Sequence, residues 1–348
     1  MNLFKLPQFL LLFIPMIVGS TESIAQSKSN KAIPVIFETD MGNDIDDALA
    51  LDMLYKYQDQ GKIKLLALTS NKNSPYTVPF MDMLNHWYGY GKIPIGTVKN
   101  GANSEGDAVN FAEKTMKYEI GGVKPFQSKK TMDETIDAVA LYRKILSKQA
   151  DGSVVIASVG FSTNLAKLLE TKADQYSKLS GKELIAKKVK FLSMMAGNFY
   201  ADTSKRFVEY NVAKDVPAAR AVFAQWPTKI IVSPYEVGDE IKYPGSSIQN
   251  DFIALKPHPM VVAYEAYLPM PYDRATWDLT SVLYAVEGNG KGYFSESKPG
   301  KVEVVANGKT YYTEGNGQHI VLGVNQQQKE MISKRFVELI TIKPKNKK

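Results

Sequence analysis

The chain has no cysteine, which excludes disulfides and lipid attachment at a leader cysteine. An exported protein of 348 residues can rest on its core without such staples. Histidine is scarce, with three residues at 86, 258 and 319. Long apolar runs are missing except near the start. There Lys5 precedes a run from Leu6 to Gly19, broken by Pro7, Gln8 and Pro15, and small and polar residues lead to Ala25-Gln26. The run is shorter than the about 20 apolar residues a membrane span needs. It reads as a signal peptide over 1–25, leaving no stable membrane insertion after cleavage. Export without disulfides fits a bacterial periplasm or the exterior. Low-complexity linkers and internal repeats are also absent.

The formal charge is +7, but six lysines sit near the ends, at 28, 31, 343, 345, 347 and 348. The body is therefore near neutral, and the high pI argues for no nucleic-acid partner. No basic run interleaved with aromatics interrupts it. With 44% hydrophobic residues, the chain can bury one large core or two ordinary ones. Residues 26–32 read as a loose segment, 33–342 as one domain, and 343–348 as a basic tail.

Strand-like and helix-like pieces alternate along the domain. Ile33-Pro-Val-Ile-Phe37 suits a buried strand, and Asp46 to Tyr57 carries Ala48, Leu49, Leu51, Met53 and Leu54 at helical spacing. The same reading gives strands at 64–69, 93–95, 153–159, 189–195 and 228–232. Helices are expected at 77–88, 135–150, 163–170 and 216–225. This pattern predicts an α/β fold, an open and mainly parallel sheet flanked by helices. Lys301 to Thr313 reads as a C-terminal β-hairpin turning at Asn307-Gly308. In such sheets sites form where strands end, so chemistry is expected just after Phe37, Leu68, Val159 and Met195.

The segment Glu38-Thr-Asp-Met-Gly-Asn-Asp-Ile-Asp-Asp47 packs five carboxylates into ten residues directly after the first strand. Like charges so close raise each other's pKa unless a cation balances them. Clustered carboxylate oxygens suit a hard cation, Ca²⁺ or Mg²⁺; the plainer alternative is a solvated turn with Asp46 capping the helix. An EF-hand loop is excluded, because its twelfth position from Asp40 is Leu51 rather than Glu. A haloacid-dehalogenase-type phosphatase fits poorly, with Glu38 as the nucleophile and no Gly-Thr.

The segment resembles the signature of the inosine-uridine-preferring nucleoside hydrolase family, Asp-x-Asp-Pro-Gly-x-Asp-Asp-Ala. Asp40, Gly42, Asp46, Asp47 and Ala48 match it; Glu38 and Met41 depart from it, and two extra residues add Asp44. Gly160-Phe-Ser-Thr-Asn164 resembles the family's Gly-Pro-Leu-Thr-Asn. Met195-Ala-Gly-Asn198 with Glu209-Tyr-Asn211 resembles its Gly-Gly…Asn and Glu-Phe-Asn. Trp277-Asp278 resembles its late acidic position, with Trp as in the purine-preferring branch in place of a base-protonating His.

The resemblance implies hydrolysis of the N-glycosidic bond of purine ribonucleosides, dependent on Ca²⁺. It implies a metal held by Asp40, Asp47, the Thr163 carbonyl and Asp278, with Asp40 as the base. Asp46 or its rival Asp44, Asn198, Glu209 and Asn211 would hold the ribose, with Asn71, or less strongly Asn73, after the second strand. Trp277 would stack on the base, with Phe111, Trp87 and Tyr200 as candidates for a facing aromatic. Family members are often homodimers or homotetramers. The rival readings are a non-catalytic nucleoside- or sugar-binding protein on the same fold and the metal-dependent phosphatase.

Overall fold

The first strand is buried on both faces. Val35 and Phe37 point into one apolar layer and Ile36 into the other, which is why the strand reads as an unbroken apolar run. A computed structural model describes residues 31–102, 110–252 and 255–347, with Met1 and Leu3. Apart from Met1 and Leu3, the expected leader (1–25) lies outside the described residues, as does most of segment 26–32. Among the described residues no helix is long and apolar enough to cross a membrane.

Strand β1 (Ile33–Thr39) leads to helix α1 (Asp46–Asp59), and β2 (Ile63–Ser70) to α2 (Thr77–Trp87). Next come β3 (Ile95–Thr97), α3 (Phe111–Lys117), β4 (Ile136–Asp137) and α4 (Ala138–Leu146). Then β5 (Val154–Ser158) precedes α5 (Thr163–Glu170) and α6 (Gly181–Lys188). After β6 (Val189–Met195) lie α7 (Tyr210–Lys214) and α8 (Val216–Gln225). Following β7 (Lys229–Ser233) are α9 (Tyr235–Asp239), β8 (Lys242–Tyr243), α10 (Gly245–Asn250) and α11 (Pro259–Tyr267). The short β9 (Arg274–Ala275) enters α12 (Trp277–Glu287). The last part holds β10 (Ser295–Glu296), β11 (Gly300–Val304), β12 (Thr310–Glu314), β13 (His319–Gly323) and α13 (Gln326–Ile340).

The main sheet runs β12-β11-β13-β7-β6-β5-β1-β2-β3-β4, with β10 on β13. From β13 to β4 neighbouring strands pair in parallel. The hairpin β11–β12 and β10 are antiparallel additions at one side. The chain builds outward from β1 through β2, β3 and β4, then returns to β5 on the other side of β1. Strand order therefore reverses between β1 and β5, and a ligand crevice is expected outside their carboxyl ends.

Two boundaries moved for identifiable reasons. The helix expected at 135–150 begins at Ala138, because the Asp137 side chain accepts the Ala140 N–H at 3.0 Å and so fixes the start. The strand expected at 93–95 is displaced to Ile95–Thr97, since Pro94 has no N–H to give a ladder. The expected basic tail is docked. The Lys345 N–H reaches Asp59 at 2.8 Å, Asn346 donates to the Trp87 carbonyl at 2.8 Å, and Lys347 lies over the Trp87 ring.

Candidate active site

Two helix N-termini bring the acids together. Asp46 and Asp47 open α1, and Asp278 lies in the first turn of α12; both places favour negative charge. The Asp278 N–H donates to Asp46 Oδ2 at 3.0 Å. Thr39 Oγ1 donates to Asp47 Oδ1 and in turn accepts the Met41 N–H at 3.0 Å. One carboxylate oxygen from each of Asp46, Asp47 and Asp278 falls within 4.8 Å of the others, and all three residues are buried.

Burial pushes all three carboxyls well above the ordinary aspartate range. Their neighbours push further: Asp44 acts on Asp46, Asp40 and Asp46 act on Asp47, and Asp46, Asp47 and Asp40 act on Asp278. Such crowding is relieved by a cation, and a donor set made only of carboxylate oxygen suits a hard divalent one.

These acids line a cavity of about 490 Å³ at the carboxyl ends of the strands. Asp40 follows β1, Val159 follows β5, Met195 ends β6 and Tyr235 follows β7, and all four line it. The close approach of β1 and β5 requires glycine at 160, where a Cβ would stand 2.6 Å from the Asp40 nitrogen. Glu209 caps α7, accepting N–H groups from Gly197 at 3.0 Å, Asn211 at 2.7 Å and Val212 at 3.2 Å. Burial nevertheless raises its carboxyl to about 7. Asn211 Nδ2 donates to the carbonyls of Val159 at 3.1 Å and Met195 at 3.3 Å. The cavity is also lined by aromatic rings, those of Trp277, Tyr235, Tyr267 and Tyr210. Trp277 Nε1 donates to the Tyr235 carbonyl at 2.9 Å, and the two rings lie 5.3 Å apart at 31°.

Of the residues expected in the site, Asp40, Asp46, Asp47, Glu209, Asn211, Trp277 and Asp278 line this cavity. Three others do not. Asn71 is buried, with Nδ2 donating to Glu38 Oε1 at 3.2 Å. Glu38 is itself held by the Tyr142 hydroxyl at 2.5 Å, and burial raises it to about 7. Thr163 begins α5, and its hydroxyl turns to Asp215 at 2.5 Å. In that stretch it is Val159, not Thr163, that borders the cavity. Asn198 lines a separate cavity of about 80 Å³ with Arg206 and Phe207. Thr310 grips its backbone at both N–H and carbonyl, each at 3.0 Å.

Asp44 forms a two-point pair with Arg274, which leaves Asp46 as the acid facing Asp278. None of the candidate facing aromatics lines the cavity. Phe111 packs edge-on to Phe80, Trp87 meets His258, and Tyr200 lies on another groove. No histidine lines it either. The sequence reading missed Tyr235, Tyr267 and Tyr210. Tyr235 had a usable signal, standing just past the strand read at 228–232. Tyr267 sits at the end of a helix, with no motif around it.

The profile of the inosine-uridine preferring nucleoside hydrolase family matches residues 35–332. No curated protein matches the chain. Solved structures do, at low identity. A plant nucleoside hydrolase, the PpNRh1 enzyme, is similar with TM-score 0.68 at 17% identity, covering 89% of this chain and 99% of its own. A purine-preferring ribonucleoside hydrolase from Gardnerella vaginalis gives 0.64 at 16%, covering 89% and 100%. An inosine-uridine preferring nucleoside hydrolase from Bacillus anthracis gives 0.57 at 15%, covering 88% and 99%.

Proposed function

Because the chain belongs to the inosine-uridine preferring nucleoside hydrolase family, we propose that it is a calcium-dependent hydrolase of purine ribonucleosides, releasing ribose and the free base. The observation that carries this reading is the convergence of Asp40, Asp46, Asp47 and Asp278, from opposite ends of the domain, on one cavity that also holds Trp277.

In this reading Asp40, Asp47, the Thr163 carbonyl and Asp278 would hold the cation, with Asp46 grouped beside Asp47 and Asp278. A bound calcium ion supplies fixed positive charge that makes a nearby water more acidic. Asp40 accepts the proton of the attacking water, a role worth about 10²–10⁴-fold in rate. Asp46, Glu209 and Asn211 orient the ribose hydroxyls, since an Asn offers both a donor and an acceptor. The carboxylates stabilise the positive charge that builds on the sugar as the base departs. Trp277 stacks on the base. The cavity holds no histidine to protonate the leaving group, so the departing base takes its proton from solvent, which favours purines that stack well on Trp277.

The purified protein is incubated with inosine, adenosine and uridine, and free ribose is measured. Ribose release that a chelator suppresses and calcium restores is expected. Asp40→Ala should lower turnover about 10³-fold. Trp277→Ala should cut purine kcat/KM by roughly 10- to 100-fold, from about 1–3 kcal/mol of stacking, and uridine turnover less. Nucleoside binding without ribose release would instead favour a binding protein, and an equal loss on both substrate classes would remove the purine assignment. Export belongs to the same proposal, resting on Lys5 and the apolar run after it; N-terminal sequencing of the mature protein would read a cut near Ala25.

A further inference from the structure

We propose that Asp44 and Arg274 form a clamp that sets the base end of the cavity, making Arg274 a positioning residue that determines preference for the base. This rests on the hydrolase reading above.

Asp44 belongs to the two-residue excess in the loop between β1 and α1. Its carboxylate accepts Arg274 Nε at 2.9 Å and, with its second oxygen, Nη2. A planar fork on a carboxylate fixes orientation as well as distance. The guanidinium carbon then lies 4.8 Å from the centroid of the Trp277 ring and 5.0 Å from that of Tyr267. Both rings line the cavity, as Asp44 does.

One cation therefore joins three separate pieces of chain: the β1–α1 loop, the end of α11 and the start of α12. Trp277 is further held by its bond to the Tyr235 carbonyl, so its indole has little freedom to turn. Aromatic walls fixed before a ligand arrives lose less entropy when the base binds. The guanidinium over the rings adds attraction of the cation–π kind. Arg274 is not among the cavity-lining residues, so it acts through Trp277 and Tyr267.

R274M and D44N are compared with wild type on two substrates, inosine and 4-nitrophenyl riboside, whose leaving group needs no purine-specific contact. The expected result is a fall of at least tenfold in the ratio of kcat/KM for inosine to that for the nitrophenyl riboside, carried by KM, in both variants. A preserved calcium-induced rise in Tm shows that the acids are still assembled. If R274M does not fold, D44N decides. A ratio within threefold of wild type overturns the clamp, and so does an equal loss on both substrates. Should wild type cleave neither substrate, the hydrolase reading falls. The clamp is then judged by calorimetric binding of free adenine, where a tenfold weakening in D44N supports it and unchanged affinity ends it.

Discussion

At the scale of single residues, the site is a balance between burial and repulsion. Asp47 is buried and crowded by Asp40 and Asp46, so its carboxyl stays protonated well above the usual value near 3.8. A group whose folded-state pKa is raised contributes stability below its unfolded value and loses it as pH rises. The metal-free protein is therefore strained near neutral pH at this point. Asp47→Asn removes the charge while its amide oxygen still accepts from Thr39. Metal-free Asp47→Asn is expected to be more stable by on the order of 1 kcal/mol, or roughly 2 °C in Tm, and, on the proposed calcium reading, to show no rise in Tm when calcium is added. A drop in metal-free Tm would show that the crowding is not what governs this residue.

Which residues could be read in advance follows from distance along the chain. Asp40, Asp46 and Asp47 share a ten-residue segment, and their excess of charge is visible without any structure. Tyr267 and Arg274 owe their place to the approach of α11 and β9 to a loop more than 200 residues earlier, and no local pattern records that. A motif resemblance drew attention to Thr163, whose hydroxyl bonds Asp215; Val159, just past β5, is the residue of that stretch that lines the cavity.

At the scale of elements, the parallel strands were legible because they are buried on both faces and so run apolar without a break. Helix α12 was not read beyond its first two residues. It is buried on nearly every side, and a helix apolar all round has no amphipathic stripe to betray it. Its position depends on α9. A Cβ on Gly238 would stand 2.3 Å from the Trp277 Cα, and the Thr276 N–H donates to the Gly238 carbonyl at 3.0 Å. Gly238→Ala must push α9 and α12 apart. It should cost about 1–3 kcal/mol, as overpacking does, and lower turnover of nucleosides by displacing Trp277. Gly290→Ala, where an added Cβ meets nothing within 4 Å, is the control. Denaturant unfolding of both variants checks this, and equal stability would mean that the two helices pack more loosely than described.

At the scale of the whole molecule, the order of strands and helices was readable but the sheet order was not, since pairing across the reversal at β1 leaves no mark in local composition. The hairpin was seen, although β13 and α13 follow it and return the chain to the parallel sheet. This returning strand carries a pH dependence. His319 Nδ1 accepts the Val302 N–H at 2.7 Å, and burial lowers the ring's pKa to about 4. The unfolded chain takes up its proton near 6.5, so stability is full above that value and is lost as pH falls toward 4. With calcium present, His319→Gln should show a shallower loss than wild type between pH 6.5 and 4. Identical slopes by thermal melts would remove His319 from the account.

The Asp278 N–H closes on the Asp46 carboxylate across 232 positions of chain. During synthesis, the first acids emerge long before the helix that completes their grouping, and a contact so remote forms late. Competence and completion of the fold are thus one event: a nascent or proteolysed fragment lacking the later helix carries most of the acids and none of the reaction.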